Sequence, residues 1–246
     1  MTARSIQMAR TSAPALTQQP AWSPLYRAGA FASIVMLVLI PVQMAVFFIW
    51  PLPTTVESWF ARFNENAVIG LINMDLLLVV DWALTVLVFL ALVVVSRAAQ
   101  PAWLVIATTF ELLAAAAYFT STGAFEMLAL SSRYATATSE TERIVLLASG
   151  ETILGAWQGT GFVIATVLSA IALLVLSAVM LRTRVLGRAI PLLGLAMGIT
   201  AIVPPNAGMI GLIFSLVYLL PFVIWLALVA RALLRQPARE IGSGVL

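Results

Sequence analysis

The chain has 246 residues, 62% hydrophobic and 9% charged, with a mean hydropathy of +1.07, whereas an ordinary soluble domain carries about 25% charge. That composition belongs in a membrane. All 13 basic residues are arginine, and Lys, His and Cys are absent, which removes thiolate and imidazole chemistry, disulfides, ordinary zinc, haem and iron–sulfur ligation, and lysine Schiff bases. No cofactor, metal ligand or catalytic residue is expected, and the chemistry left belongs to carboxylates, guanidinium, hydroxyls, amides and aromatic rings.

Residues 1–24, rich in Ser, Thr, Gln and Pro, cannot bury a core and are expected to be a disordered tail. The apolar run that follows, Tyr26–Trp50, is 25 residues long, beyond the ~7–15 of a cleaved signal. It is therefore expected to be an anchor and the first span. Further runs long enough to cross ~30 Å of hydrocarbon appear at Ala67–Ser96, Pro101–Thr120 and Thr152–Leu181, and a short fifth at Ala189–Val203 precedes a sixth at Gly208–Ala230. Between the first two spans, Thr54–Asn64 reads as an amphipathic helix capped by Thr54 or Thr55, with Val56, Trp59, Phe60 and Phe63 on one side. The segment Ser121–Glu151 carries Phe125, Met127, Leu128 and Leu130, then a helix that starts near Ser139 or Thr141 and can run unbroken past Gly150 into the fourth span.

Charge decides between a spanning and a re-entrant fifth segment. With six spans and both termini cytoplasmic, ten of the thirteen arginines lie inside and only Arg62, Arg133 and Arg143 outside, as the positive-inside rule requires. The expected fold is therefore all-α and polytopic: one six-helix transmembrane domain over residues 25–235, two larger outer loops containing amphipathic helices, and a short cytoplasmic tail at 236–246. The acids sort the opposite way. Only Glu240 falls inside, so the high isoelectric point of about 10.0 reflects topology at an anionic inner leaflet and not nucleic-acid binding.

Asp75, Asp81 and Glu111 fall within spans, where a carboxylate costs roughly 2.5–3.5 kcal/mol on insertion scales. Counted from the turn near Ala98–Ala99, Glu111 lies level with about Val86, Asp81 ~7 Å further out and Asp75 another ~9 Å beyond. On a continuous second span Asn73 and Asp81 share a polar stripe, while Asp75 and Asp81 are ~120° apart. Together with Glu126, Glu151, Trp157 and Gln158 these acids make a candidate outward-facing acidic cavity for protons or a small cationic or polar solute. The alternative is that Asp81 and Glu111 join neighbouring helices as polar glue and that Asp75 pairs with Arg62, Arg133 or Arg143.

Other cues are weaker. Gly155-x-x-x-Gly159 and Gly194-x-x-x-Gly198 match the small-residue packing pattern, more often intramolecular than dimeric. Pro41 and Pro221 are expected to kink spans one and six. Trp22, Trp50, Trp59, Trp103 and Trp225 suit an interfacial belt, and Trp82 and Trp157 do not.

Leu25-Tyr26-Arg27, Trp50-Pro51, Phe125-Glu126-Met127-Leu128, Tyr134-Ala135, Ala137-Thr138, Glu142-Arg143, Gly150-Glu151 and Trp157-Gln158-Gly159-Thr160 resemble the bacterial integral-membrane family known as domain of unknown function 4386, over residues 25–235. The resemblance implies a multi-pass protein of a bacterial plasma membrane, carries no activity, and adds weight to Glu126, Glu151 and Gln158 as a cluster. Two functions suit the whole pattern: a small transporter or solute-binding protein, or a non-catalytic scaffold or regulatory subunit with a membrane-protein partner. An intramembrane hydrolase fits less well, because aspartyl-protease motifs are missing and a Ser–His dyad needs His.

Overall fold

A computed structural model of the chain describes residues 22–98 and 100–236. The expected tails lie almost wholly outside the described residues, as does Ala99 in the turn between the second and third spans. Among the described residues every regular element is a helix: α1 (Ser23–Ile49), α2 (Val56–Glu65), α3 (Ala67–Asn73), α4 (Leu76–Val95), α5 (Pro101–Ser121), α6 (Ala124–Thr136), α7 (Glu140–Trp157), α8 (Thr160–Thr183), α9 (Ala189–Ala201) and α10 (Gly208–Leu234). Five helical segments are long and apolar enough to cross a membrane. With only 13 residues, α9 reaches ~20 Å at 1.5 Å per residue.

Six helices close into a ring. Helix α1 packs against α4 and α10, α4 against α5, α5 against α8, α8 against α9, and α9 against α10. Their shared core includes Met36, Leu92, Leu176, Met197, Leu226 and Leu233. Small residues set the spacing of this ring, as expected where helices associate without a hydrophobic driving force. A Cβ on Gly161 of α8 would sit 3.1 Å from Ser121 Cβ of α5. On α9, one at Gly198 would sit 2.6 Å from Leu174 Cγ and 3.2 Å from the Ala170 carbonyl of α8. The Gly194/Gly198 pattern is thus spent inside the chain, whereas Gly155 meets nothing within 4 Å. Gly198→Leu is expected to destabilise the protein by about 1–2 kcal/mol through overpacking, read as a lower thermal midpoint in detergent; Gly155→Leu serves as the comparison and is expected to leave the midpoint near wild type.

The other four helices form a cap over one end of the ring. Helix α2 starts at a reciprocal capping box, in which Ser58 N–H donates to Thr55 Oγ1 (3.3 Å) and Thr55 N–H to Ser58 Oγ (3.1 Å). Its apolar face, Val56, Trp59, Phe60 and Phe63, is buried as the spacing predicts and joins Met74, Ala124, Met127 and Trp157 in a second core. Helix α7 begins at Ser139, whose Oγ accepts from Glu142 N–H at 3.2 Å. The opposite end of the ring carries Arg27, Arg97, Arg182, Arg184, Arg188, Arg231 and Arg235, at helix termini and in short turns; the cap carries Arg62, Arg133 and Arg143.

Several expectations change. The second apolar run is two helices, α3 and α4, separated at Met74–Asp75, where Asp75 adopts a left-handed conformation (φ 71°). The wheel that put Asn73 and Asp81 on one stripe therefore does not apply, and Asn73 Nδ2 instead donates to the Trp50 carbonyl at 2.9 Å. The helix from Glu140 passes Gly150 but stops at Trp157, and the fourth span starts afresh at Thr160. Here glycine is required: a Cβ on Gly159 would lie 2.9 Å from the Gly155 carbonyl and 3.1 Å from that of Ala156. Helix α1 starts at Ser23, inside the expected tail. Trp59 is buried in the cap and Trp225 in the ring core, so neither belongs to a belt.

Candidate functional site

The ring forms a partly open cavity of about 380 Å³ in the half beneath the cap, lined by residues of α1, α4, α5, α8, α9 and α10. Its walls are mostly apolar and aromatic, with Phe47, Trp82, Phe162, Phe214 and Phe222 among them. Trp82 stacks on Tyr118 with centroids 4.8 Å apart and planes 17° apart, and Tyr118 in turn meets Phe162 at 6.2 Å. The size falls within the ~300–1,000 Å³ range of small-molecule pockets.

Polar groups on the wall divide by what they have left to offer. Thr85 donates to the Asp81 carbonyl (2.8 Å), Thr166 to Val163 (2.9 Å), Thr200 to Met197 (2.9 Å) and Ser215 to Gly211 (2.8 Å), all within their own helices. Ser169 donates to Glu111 Oε2 at 2.9 Å. These donors are spent. What remains on the wall is two acceptors, Asp81 Oδ1 and Gln43 Oε1, and one hydroxyl, that of Tyr118, all buried and without a hydrogen-bond partner. Gln43 uses its amide nitrogen on the Ile72 carbonyl at 3.4 Å, which leaves its oxygen unmatched at the end of α3.

Asp75 is 7% exposed but does not line the cavity. Trp157 Nε1 donates to its Oδ2 at 2.6 Å, and its carboxylate sits at the start of α4, where the unpaired N–H groups of the first turn favour negative charge. The Arg pairing is replaced by this indole bond; Arg143 instead donates to the Ala137 carbonyl (3.4 Å) and lies 6.0 Å over the Tyr134 ring. Trp157 also meets Trp59 edge-on at 5.5 Å. It thereby ties the cap to the two helix breaks, at Asp75 and after Trp157.

No family model, curated protein or solved structure shows significant similarity to the chain. The site therefore has to be read from its own atoms.

Of the sequence candidates, Asp81 lines the cavity, Glu111 reaches it through Ser169, and Asp75 and Trp157 bond to each other at the cap boundary. Glu126 and Glu151 are exposed on the cap helices α6 and α7, away from the cavity wall. Gln158 is exposed as well, and its carbonyl accepts from Asn206 Nδ2 at 2.6 Å, which pins the α9–α10 connection to the α7–α8 break. The acidic cluster expected from residues 126, 151 and 158 is thus not assembled. Gln43, in the outer half of the first span, lines the cavity although it is not among the site candidates named from the sequence. A polar amide within an apolar span was the available signal. Tyr118, Ser169 and Tyr218 gave none, because isolated hydroxyls are common in membrane helices.

Proposed function

We propose that this is a six-span membrane protein that binds a small amphipathic organic cation in the central cavity and serves as a transporter or solute-binding protein. The observation that carries this reading is a pair of acceptors on the wall: the Thr and Ser hydroxyls are satisfied within the protein, while a carboxylate oxygen and an amide oxygen, Asp81 Oδ1 and Gln43 Oε1, are buried without partners, with the Tyr118 hydroxyl a buried donor likewise left open. A ligand that supplies N–H donors and a positive charge satisfies both, and its apolar part meets the aromatic wall, where ring faces also attract cations. The ring supports six spans, with α9 held between α8 and α10 although it is short. The arginine-rich end is then cytoplasmic and the cap faces outward. This orientation fits a bacterial plasma membrane, in keeping with the family resemblance, which itself carries no activity.

The test is charge discrimination by the purified protein in nanodiscs. 2-Phenylethylamine is expected to bind at least tenfold more tightly than its neutral counterpart 2-phenylethanol, by calorimetry and by the change in Trp82 fluorescence. Equal affinity of the two, or no binding of the amine, would overturn the reading.

A further inference from the structure

Glu111 is a second buried carboxyl that the cation site does not use. It lies in the middle of α5 and is 1% exposed. Its Oε2 accepts the Ser169 hydroxyl and its Oε1 is buried with no partner. A bare carboxylate so placed would lack both a counter-charge and half of its hydrogen bonds, and burial in that state is strongly unfavourable. Its surroundings offer no cation. Helix α8 presents Ser169, and the titratable groups of α10 are Tyr218, on the cavity wall, and Arg231 near the far end. Helices α4 and α5 bring Asp81 and Tyr118, which interact with each other, and Asp75 also interacts with Tyr118. Arg182 lies thirteen residues along α8 from Ser169, or ~20 Å by helical rise.

From this geometry we propose that Glu111, with Ser169, is a proton-binding site separate from Asp81, and that a cation entering the cavity displaces its proton. The coupling half rests on the cation reading above; the proton site does not. Ser169 lines the cavity and bonds Glu111, so it connects the two sites physically. In the empty protein Glu111 is a neutral carboxylic acid. When a protonated amine enters beside Asp81, its positive charge favours the Glu111 carboxylate; the O–H bond breaks, the proton leaves to solvent, and the Ser169 hydroxyl remains as donor to the carboxylate. One positive charge enters and one leaves, so the charge inside the bundle is unchanged. Such linkage is reciprocal, so added protons must weaken amine binding.

Infrared difference spectroscopy on the whole protein in nanodiscs tests both halves. The ligand-free protein at neutral pH is expected to show a protonated-carboxyl carbonyl band that is lost in Glu111→Gln and shifted in Glu111→Asp, the second variant guarding against a merely misfolded first. Adding 2-phenylethylamine is expected to diminish that band and release about one proton per amine bound in weakly buffered medium, with release abolished in Glu111→Gln. If no band depends on Glu111, the proton site is overturned. A band that persists while the amine binds overturns the coupling. An amine that fails to bind overturns the cation reading and its coupling together, while the ligand-free band still decides the proton site by itself.

Discussion

Asp81→Asn is expected to lower the affinity for 2-phenylethylamine by 10- to 100-fold, or about 1.4–2.8 kcal/mol, while leaving 2-phenylethanol binding within about twofold of wild type. The substitution keeps the shape of the side chain and removes its charge, so a change confined to the amine reports the ion pair itself. The effect is expected to be large because Asp81 faces a mostly apolar cavity beneath the cap, where charge interactions are poorly screened. Glu126→Gln and Glu151→Gln are the matched controls. Both acids are exposed on the cap, and their neutralisation is expected to leave amine affinity unchanged. Amine affinity retained in Asp81→Asn, or lost equally in the two cap variants, would place the charge recognition elsewhere.

Trp157→Phe is expected to destabilise the protein by about 2–3 kcal/mol, because it leaves the buried Asp75 carboxyl without its indole donor. The indole also meets Trp59 in the cap core, so the loss should loosen the cap before the ring. Thermal unfolding followed by size exclusion reads the total, and protease sensitivity within 124–157 reads the cap alone. A cycle with Asp75→Asn separates the bond from the ring contact: if the Asp75–Trp157 bond carries the effect, the two substitutions together cost much less than the sum of each alone. Strict additivity, or a wild-type midpoint in Trp157→Phe, would show that the bond contributes nothing to holding the cap.

Much of the fold was legible because long apolar runs and helix caps act locally. The amphipathic helix after Trp50 was found with its cap and its buried face, since Thr55 and the spacing of Val56, Trp59, Phe60 and Phe63 sit within ten residues of one another. The helix breaks were not legible. Proline is the usual cue, yet Pro41 and Pro221 lie inside unbroken helices, while the chain breaks at Asp75 and Gln158. The break at Asp75 sits where its carboxyl bonds an indole 82 residues away in sequence, a partner that no local pattern reveals.

The candidate site divides along the same line. Asp81 and Glu111 stood out in sequence because charge inside an apolar span is costly wherever it falls. Glu126, Glu151 and Gln158 looked alike on paper, but a helix-entry segment can turn its polar face either to solvent or to a cavity. Only packing decides which, and here α6, α7 and the break after α7 leave those residues exposed.

The sequence by itself determined the solvent, the element type and the short list of acids, because bilayer thickness and the cost of buried charge act on each segment separately. Tertiary structure decided which of those acids share a space, and which hydrogen bonds are already used up. Whether a carboxyl is a site or a strut depends on the donors around it. Those donors, Trp157 for Asp75 and Ser169 for Glu111, come from distant parts of the chain that only the closed ring and its cap bring together.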